Sequence, residues 1–224
     1  SSADRRSLAS NNNKPRMSLG VREVLMDHYN PDRHAVAEGA WFSKYAAASY
    51  GWVAIMLLKP VSGTIKMIYY VFRYCTCIRS SDSKKYVNDI WLELRRLAIR
   101  TVLDHLYEHD MVYATFEHSV TKTPYFIAMD HEWKSVVLSI RGTMSLESLL
   151  ADISLTPESL EQVGKECGFD GSDHHCHRGM LACAKWIYQD LKGHVLLDKL
   201  VGPTGAHKDY TLRIVGHSLG AGIS

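Results

Sequence analysis

The residues best placed to do chemistry in this sequence are a serine and the glycines around it. Gly216-His217-Ser218-Leu219-Gly220 follows the apolar positions Leu212, Ile214 and Val215 and precedes Ala221 and Gly222. A strand that runs through so sharp a turn into a helix holds the central residue in a strained backbone conformation. Side chains at positions 216 and 220 would collide with neighbouring backbone, so the turn needs glycine at both. Ser218 Oγ is then presented at the carboxyl end of the strand. The Leu219 N–H is placed to hold a developing oxyanion. This is equipment for nucleophilic attack on an acyl carbon. His217 lines the turn and is not the base.

A second oxyanion donor has to come from an earlier strand-to-helix loop. "SIRGTMSLESLLADI" offers one. A strand ends at Arg141-Gly142, Thr143 sits at the turn, and Ser145 to Asp152 fits a short helix. Thr143 supplies both an N–H and a hydroxyl, although the same residue type equally well caps a helix.

These turns need a sheet to carry them. "PYFIAMD" and "SVVLSIRG" read as a hairpin or as adjacent buried strands joined by His131-Glu132-Trp133-Lys134, and "YTLRIV" as a last strand. Gly179 to Lys192 reads as a helix that Gly193 is able to end. Lys85 to His109 reads as an amphipathic helix, with Ile90, Trp91, Leu94, Leu97, Ala98, Val102 and Leu106 at spacings of three and four. Pro157 to His177 reads as a long polar loop. Strands alternating with helices predict an α/β sheet.

The N-terminal part differs in composition. Residues 1–17 are polar and basic, the composition of an arm that forms no core. "AWFSKYAAASYGWVAIMLL" places Trp41, Tyr45, Tyr50 and Trp52 in an apolar stretch. These types suit an interfacial or juxtamembrane helix, and equally a buried core helix. Lys44 and Gly51 count against a true span. Pro60 and Gly63 break the pattern, and "TIKMIYYVFRYC" resumes it as a strand or a further interfacial piece. The polar run Ser80 to Lys85 marks a boundary. Residues 1–82 are expected to be an arm with a membrane-adjacent helical segment, and 83–224 a hydrolase-like unit.

Three motifs in order, "IRGTMSLESLLADI", "CHRGMLACAKWIY" and "LRIVGHSLGAG", resemble the class-3 lipase family of α/β-hydrolases, and within it the sn-1-specific diacylglycerol lipase group. The resemblance runs from about Tyr113 to the end. "WFSKYAAASYGW" and "KPVSGT" are a weaker echo of the segment that joins that group's membrane helices to its catalytic domain. The resemblance implies a partial α/β-hydrolase fold with Ser218 as nucleophile and Thr143 as oxyanion residue. It assigns a structural role to His177-Arg178-Gly179. It implies hydrolysis of diacylglycerol to a monoacylglycerol and a fatty acid at a membrane surface. It further implies a catalytic domain facing the cytosol at the plasma membrane, and calcium as a cofactor. Another acylglycerol lipase, a phospholipase or an esterase is the alternative reading. A non-catalytic binding protein with an incomplete triad is the alternative from another class.

The family order is Ser, then Asp or Glu, then His. After Ser218 come Leu219, Gly220, Ala221, Gly222, Ile223 and Ser224, with no acid and no histidine. The expectation is a domain truncated just past its nucleophile and inactive as it stands. His174, His175 and His177, with Asp152 and Asp173, are the only upstream cluster for a triad in another order.

Other chemistry finds little support. A formal net charge of +2 and scattered basic residues exclude a nucleic-acid module. Five cysteines (Cys75, Cys77, Cys167, Cys176 and Cys183) form no dense framework and suit a reducing compartment. Cys167, His174, His175, Cys176 and His177 match no closed zinc pattern, and no acidic loop has calcium-ligand spacing. No cofactor is expected from the residues themselves.

Overall fold

The structure, a computed structural model, describes residues 31–76, 86–87, 94–142 and 156–224. The basic arm, the expected helix at Ser145–Asp152 and Thr143 lie outside these residues. Helices α1 (Pro31–Ala48), α2 (Trp52–Leu58) and α3 (Ser62–Thr76) come first, followed by β1 (Tyr86–Val87) and α4 (Leu94–Val102). Strands β2 (Met111–Thr115), β3 (Tyr125–Asp130) and β4 (Ser135–Ile140) form the middle. Then come β5 (Pro157–Ser159), α5 (Glu161–Cys167), β6 (His175–His177), α6 (Arg178–His194), α7 (Leu196–Val201), β7 (Thr211–Gly216) and α8 (Leu219–Ile223).

The main sheet has the order β1-β2-β3-β4-β7. β3 and β4 form the expected antiparallel hairpin, with Tyr125 opposite Ile140 and Asp130 opposite Ser135. β7 pairs parallel with β4, which sets Gly216 beside Ile140. Two turns, after β4 and after β7, therefore open at the same end of the sheet.

Alternate residues of the strands feed two cores. Phe126, Ala128 and Val137 face α1, α2 and α4, where Trp41, Phe42, Tyr45, Ile55 and Leu103 are buried. Ile127, Val136, Leu138 and Ile140 face Cys183, Ile187 and Leu191 of α6 and Leu219 and Ile223 of α8. This is the period-two alternation of a strand buried on both sides. The result is the expected α/β architecture, a sheet between helical layers.

Several local expectations are revised. The segment "TIKMIYYVFRYC" lies in helix α3, because Ile65, Ile68, Tyr69 and Phe72 recur at helical spacing and form an exposed stripe. The helix expected over Lys85–His109 holds for Leu94–Val102. Tyr86–Val87 is instead a strand, pairing with Ala114–Thr115. The polar stretch from Pro157 contains a two-stranded ribbon, β5 with β6, and helix α5. Gly193 lies inside α6, which ends one residue later where Val195 takes a left-handed φ of 53°.

Trp41 and Tyr45 of α1 are buried against the sheet, with exposures of 3% and 0%. Both donate to one carboxylate. Trp41 Nε1 lies 2.5 Å and Tyr45 Oη 2.8 Å from Asp130 Oδ2, and the Trp133 N–H reaches Oδ1 at 2.9 Å. Burial, reinforced by the Asp130 charge, pushes the Tyr45 phenol far up, so it stays a donor. On the other face Tyr113 and Tyr125 donate in the same way to Asp190 of α6, at 2.9 and 2.5 Å. Each helical layer is thus pinned to the sheet by a shared carboxylate. Asp130→Ala strands three donors, two of them on deeply buried rings, and should cost about 3 kcal/mol. Thermal unfolding should drop by roughly 6–12 °C. An unchanged Tm would show that the pin contributes nothing.

Candidate active site

The turn after β7 is built as its sequence predicts. Ser218 has φ 57° and ψ −124°, a region that residues with a Cβ avoid. The turn is closed by Gly220 N–H donating to the His217 carbonyl at 3.0 Å, and by Ala221 N–H donating to the Ser218 carbonyl at 3.0 Å. A side chain at Gly216 would run into the backbone of Gly220 and Ala221. One at Gly220 would strike the Ile140 carbonyl at the end of β4. The two glycines therefore let the elbow fold on itself and dock on the neighbouring strand.

Ser218 is exposed at the carboxyl end of β7. Its side chain makes no cap hydrogen bond to α8. The Leu219 N–H is the first of that helix and so has no partner within it. Leu219 itself is buried, which anchors the donor from below. Beneath the helix, Gly222 leaves room for Met180 of α6.

The turn after β4 abuts the elbow. A Cβ at Gly142 would lie 3.4 Å from Ser218 Cβ and 2.5 Å from the His217 carbonyl oxygen. Arg141 is fixed at both main-chain groups, its N–H donating to the Pro124 carbonyl at 2.9 Å and its carbonyl accepting from Thr123 Oγ1 at 2.8 Å. Burial, then the nearby Arg95 cation, pulls the Arg141 guanidinium below its usual range. Thr143 follows directly in the chain but lies outside the described residues.

The other residues singled out by type go elsewhere. His177 caps α6, its Nδ1 accepting from the N–H groups of Gly179 at 3.1 Å and Met180 at 3.4 Å. Arg178 pairs with Glu158 at 2.9 Å and ties the helix start to the β5–β6 ribbon. His174, His175 and Asp173 make no hydrogen bond to Ser218 among the described residues, and Asp152 lies outside them. No group of three His, Cys, Asp or Glu side chains that could hold a metal occurs among the described residues.

One contact was missed by sequence reasoning. Tyr50, at the α1–α2 corner, reaches the elbow, with its Oη 3.0 Å from His217 Nδ1. Its only sequence signal was an aromatic residue beside the turn-forming Gly51.

The chain resembles known proteins in the same region. The family model "Lipase (class 3)" matches residues 137–224. Human diacylglycerol lipase-alpha is 30% identical over 197 residues, covering 84% of this chain and 18% of that protein. Mouse diacylglycerol lipase-beta is 30% identical over 185 residues, covering 82% of this chain and 25% of that protein. The nonglycosylated LIP2 lipase of Yarrowia lipolytica has a TM-score of 0.45 at 18% identity, covering 83% of this chain and 52% of that one. The chain thus spans a quarter or less of the length of these curated relatives. Val137 to Ile140 of β4, the abutting turn and the serine elbow all lie inside the residues that match the class-3 lipase family.

Proposed function

We propose that the whole protein is a serine ester hydrolase that cleaves the sn-1 ester of diacylglycerol, releasing a fatty acid and leaving a 2-monoacylglycerol. The observation that carries this reading is the backbone of Ser218, held at φ 57° on the turn between β7 and α8. Such strain marks a residue whose position matters more than its stability. The relatives named diacylglycerol lipase support the substrate class.

Ser218 Oγ attacks the ester carbonyl carbon and loses its proton to an imidazole that the described residues do not supply. The carbonyl oxygen becomes an oxyanion held by the Leu219 N–H and by Thr143. Collapse expels the glyceride alkoxide, which takes the proton back. Water then cleaves the acyl-enzyme and frees the fatty acid. No step is routed through calcium, since the described residues gather no set of ligands for it.

The substrate reaches the site from a membrane surface in this reading. Support comes from the outward faces of α2 and α3, where Trp52, Met56, Leu57, Ile65, Ile68 and Phe72 are exposed. Tryptophan and long apolar side chains together suit the headgroup boundary. Among the described residues no helix is long and apolar enough to cross a membrane. We place the catalytic unit on the cytosolic side, at the plasma membrane.

Purified whole protein should be given a diacylglycerol with different acyl chains at sn-1 and sn-2. Mass spectrometry should find the sn-1 acid free and the sn-2 chain still on glycerol. Faster cleavage of phospholipid or of a soluble ester would move the protein to another lipase or esterase class. Binding without cleavage would make it a binding protein.

A further inference from the structure

The serine elbow and the turn after β4 meet a third element that lies outside both motifs. Helix α1 ends at Ala48, and the chain then swings through Tyr50 and Gly51, which has a φ of 61°. That corner aims the Tyr50 phenol at the elbow. Its Oη lies 3.0 Å from His217 Nδ1 and 3.4 Å from the His217 carbonyl oxygen. The two rings meet edge to face, 5.7 Å apart at 73°. The same oxygen borders the other turn, since a Cβ at Gly142 would lie 2.5 Å from it. The Gly142 main chain thus abuts the phenol oxygen. One hydroxyl therefore touches both walls of the gap into which an ester carbonyl must fit.

Tyr50 has the surroundings for such a task. Trp41 and Tyr45 of the preceding helix α1 both donate to Asp130 in the core. Tyr50 is half-buried at the edge of that core, with its ring packed and its oxygen at the site. Burial raises the phenol against the opposing pull of the Arg141 cation, so the group stays a neutral donor at neutral pH.

We infer that Tyr50 is a positioning residue: its hydroxyl holds the His217 elbow against the Gly142 turn, so that the Leu219 N–H keeps the place an oxyanion donor needs. The inference rests on the reading of Ser218 as nucleophile. A tie of this kind acts where the oxyanion forms rather than where the acyl chains bind. Its loss should therefore appear in kcat more than in KM.

The test uses the whole protein, with diacylglycerol hydrolysis and labelling of Ser218 by a fluorophosphonate as readouts. Tyr50→Phe keeps the ring and removes the tie. It should lower kcat and the labelling rate by about tenfold to a hundredfold. KM should change by less than about twofold, and Tm should hold. His217→Ala, at an exposed position, should give a similar loss. In the double variant the two losses should not multiply, because both remove one contact. Should Tyr50→Phe fail to fold, His217→Ala decides alone by the same kcat and KM pattern. Unchanged kcat, a rise in KM alone, or losses that multiply would overturn the inference. Ser218→Ala separates the two readings. If that variant is dead while Tyr50→Phe is fully active, only the positioning role falls. If it hydrolyses diacylglycerol, both readings fall.

Discussion

Ser218→Ala in the whole protein should lose ester hydrolysis by at least about 10⁴-fold, with no loss of fold. The two halves of that result have separate causes. Oγ is the atom that bonds to the acyl carbon, and no neighbouring hydroxyl on α8 replaces it. The fold is spared because alanine carries the same Cβ and suffers the same strain at φ 57°. The serine also makes no cap bond that alanine would forfeit. A companion variant isolates the strain. Ser218→Gly relieves a backbone cost of about 1–3 kcal/mol and forfeits about 0.5–1 kcal/mol of chain entropy. It should be equally dead yet more stable by about 1 kcal/mol, a rise of roughly 2–4 °C in Tm. Acyl release, fluorophosphonate labelling and a melting curve decide all of this. A Ser218→Gly protein that melts earlier than wild type would mean that the strain is not stored at this residue.

Gly216→Ala should be among the most damaging single methyl groups in the described residues. Its Cβ would meet main-chain atoms of Gly220 and Ala221, and a hydrogen-bonded turn offers backbone no room to yield. Either β7 slips against β4 or α8 lifts away from the sheet. Both destroy the elbow, and the cost should exceed about 3 kcal/mol. Tm should fall by roughly 6–12 °C or more, and activity should disappear with it. Gly222→Ala is the control for size. Its Cβ would meet Met180 Sδ at 2.8 Å, the flexible end of a side chain that can change rotamer. That variant should lose less than about 1.5 kcal/mol. Equal melting temperatures for the two would refute the assignment of Gly216 to a steric role.

The contrast between these glycines shows what is legible in the sequence. The elbow is local chemistry. Five residues and the apolar run ahead of them contain the reason for the turn, so position and conformation could both be read. The β3–β4 hairpin was legible for the same reason, its two runs lying on either side of a short polar connection. Tyr50 was not legible, because its partner His217 is distant in the chain and the contact exists only after α1 has docked on the sheet. The aromatic content of α1 pointed equally to a core and to a membrane interface. What decided the matter for Trp41 and Tyr45 was Asp130, whose burial between them no local pattern announces. The β5–β6 ribbon escaped because three-residue strands of polar residues carry no period.

The pairing of β4 with β7 also sets an order of events. β2, β3 and β4 are neighbours in the chain and can form their ladders across short connections. β7 joins in parallel, across everything from Arg141 to Tyr210. The entropy of closing so long a loop is lost before any of the pairing is gained. A nascent chain therefore holds a finished three-stranded meander for some time before it has an elbow. During that interval Val136, Leu138 and Ile140 lack the cover of α8, and the open side of β4 has no partner strand. Among the described residues the elbow that would do the chemistry forms after the meander, and until then the uncovered face and open edge of β4 suit the chain as a client for chaperones.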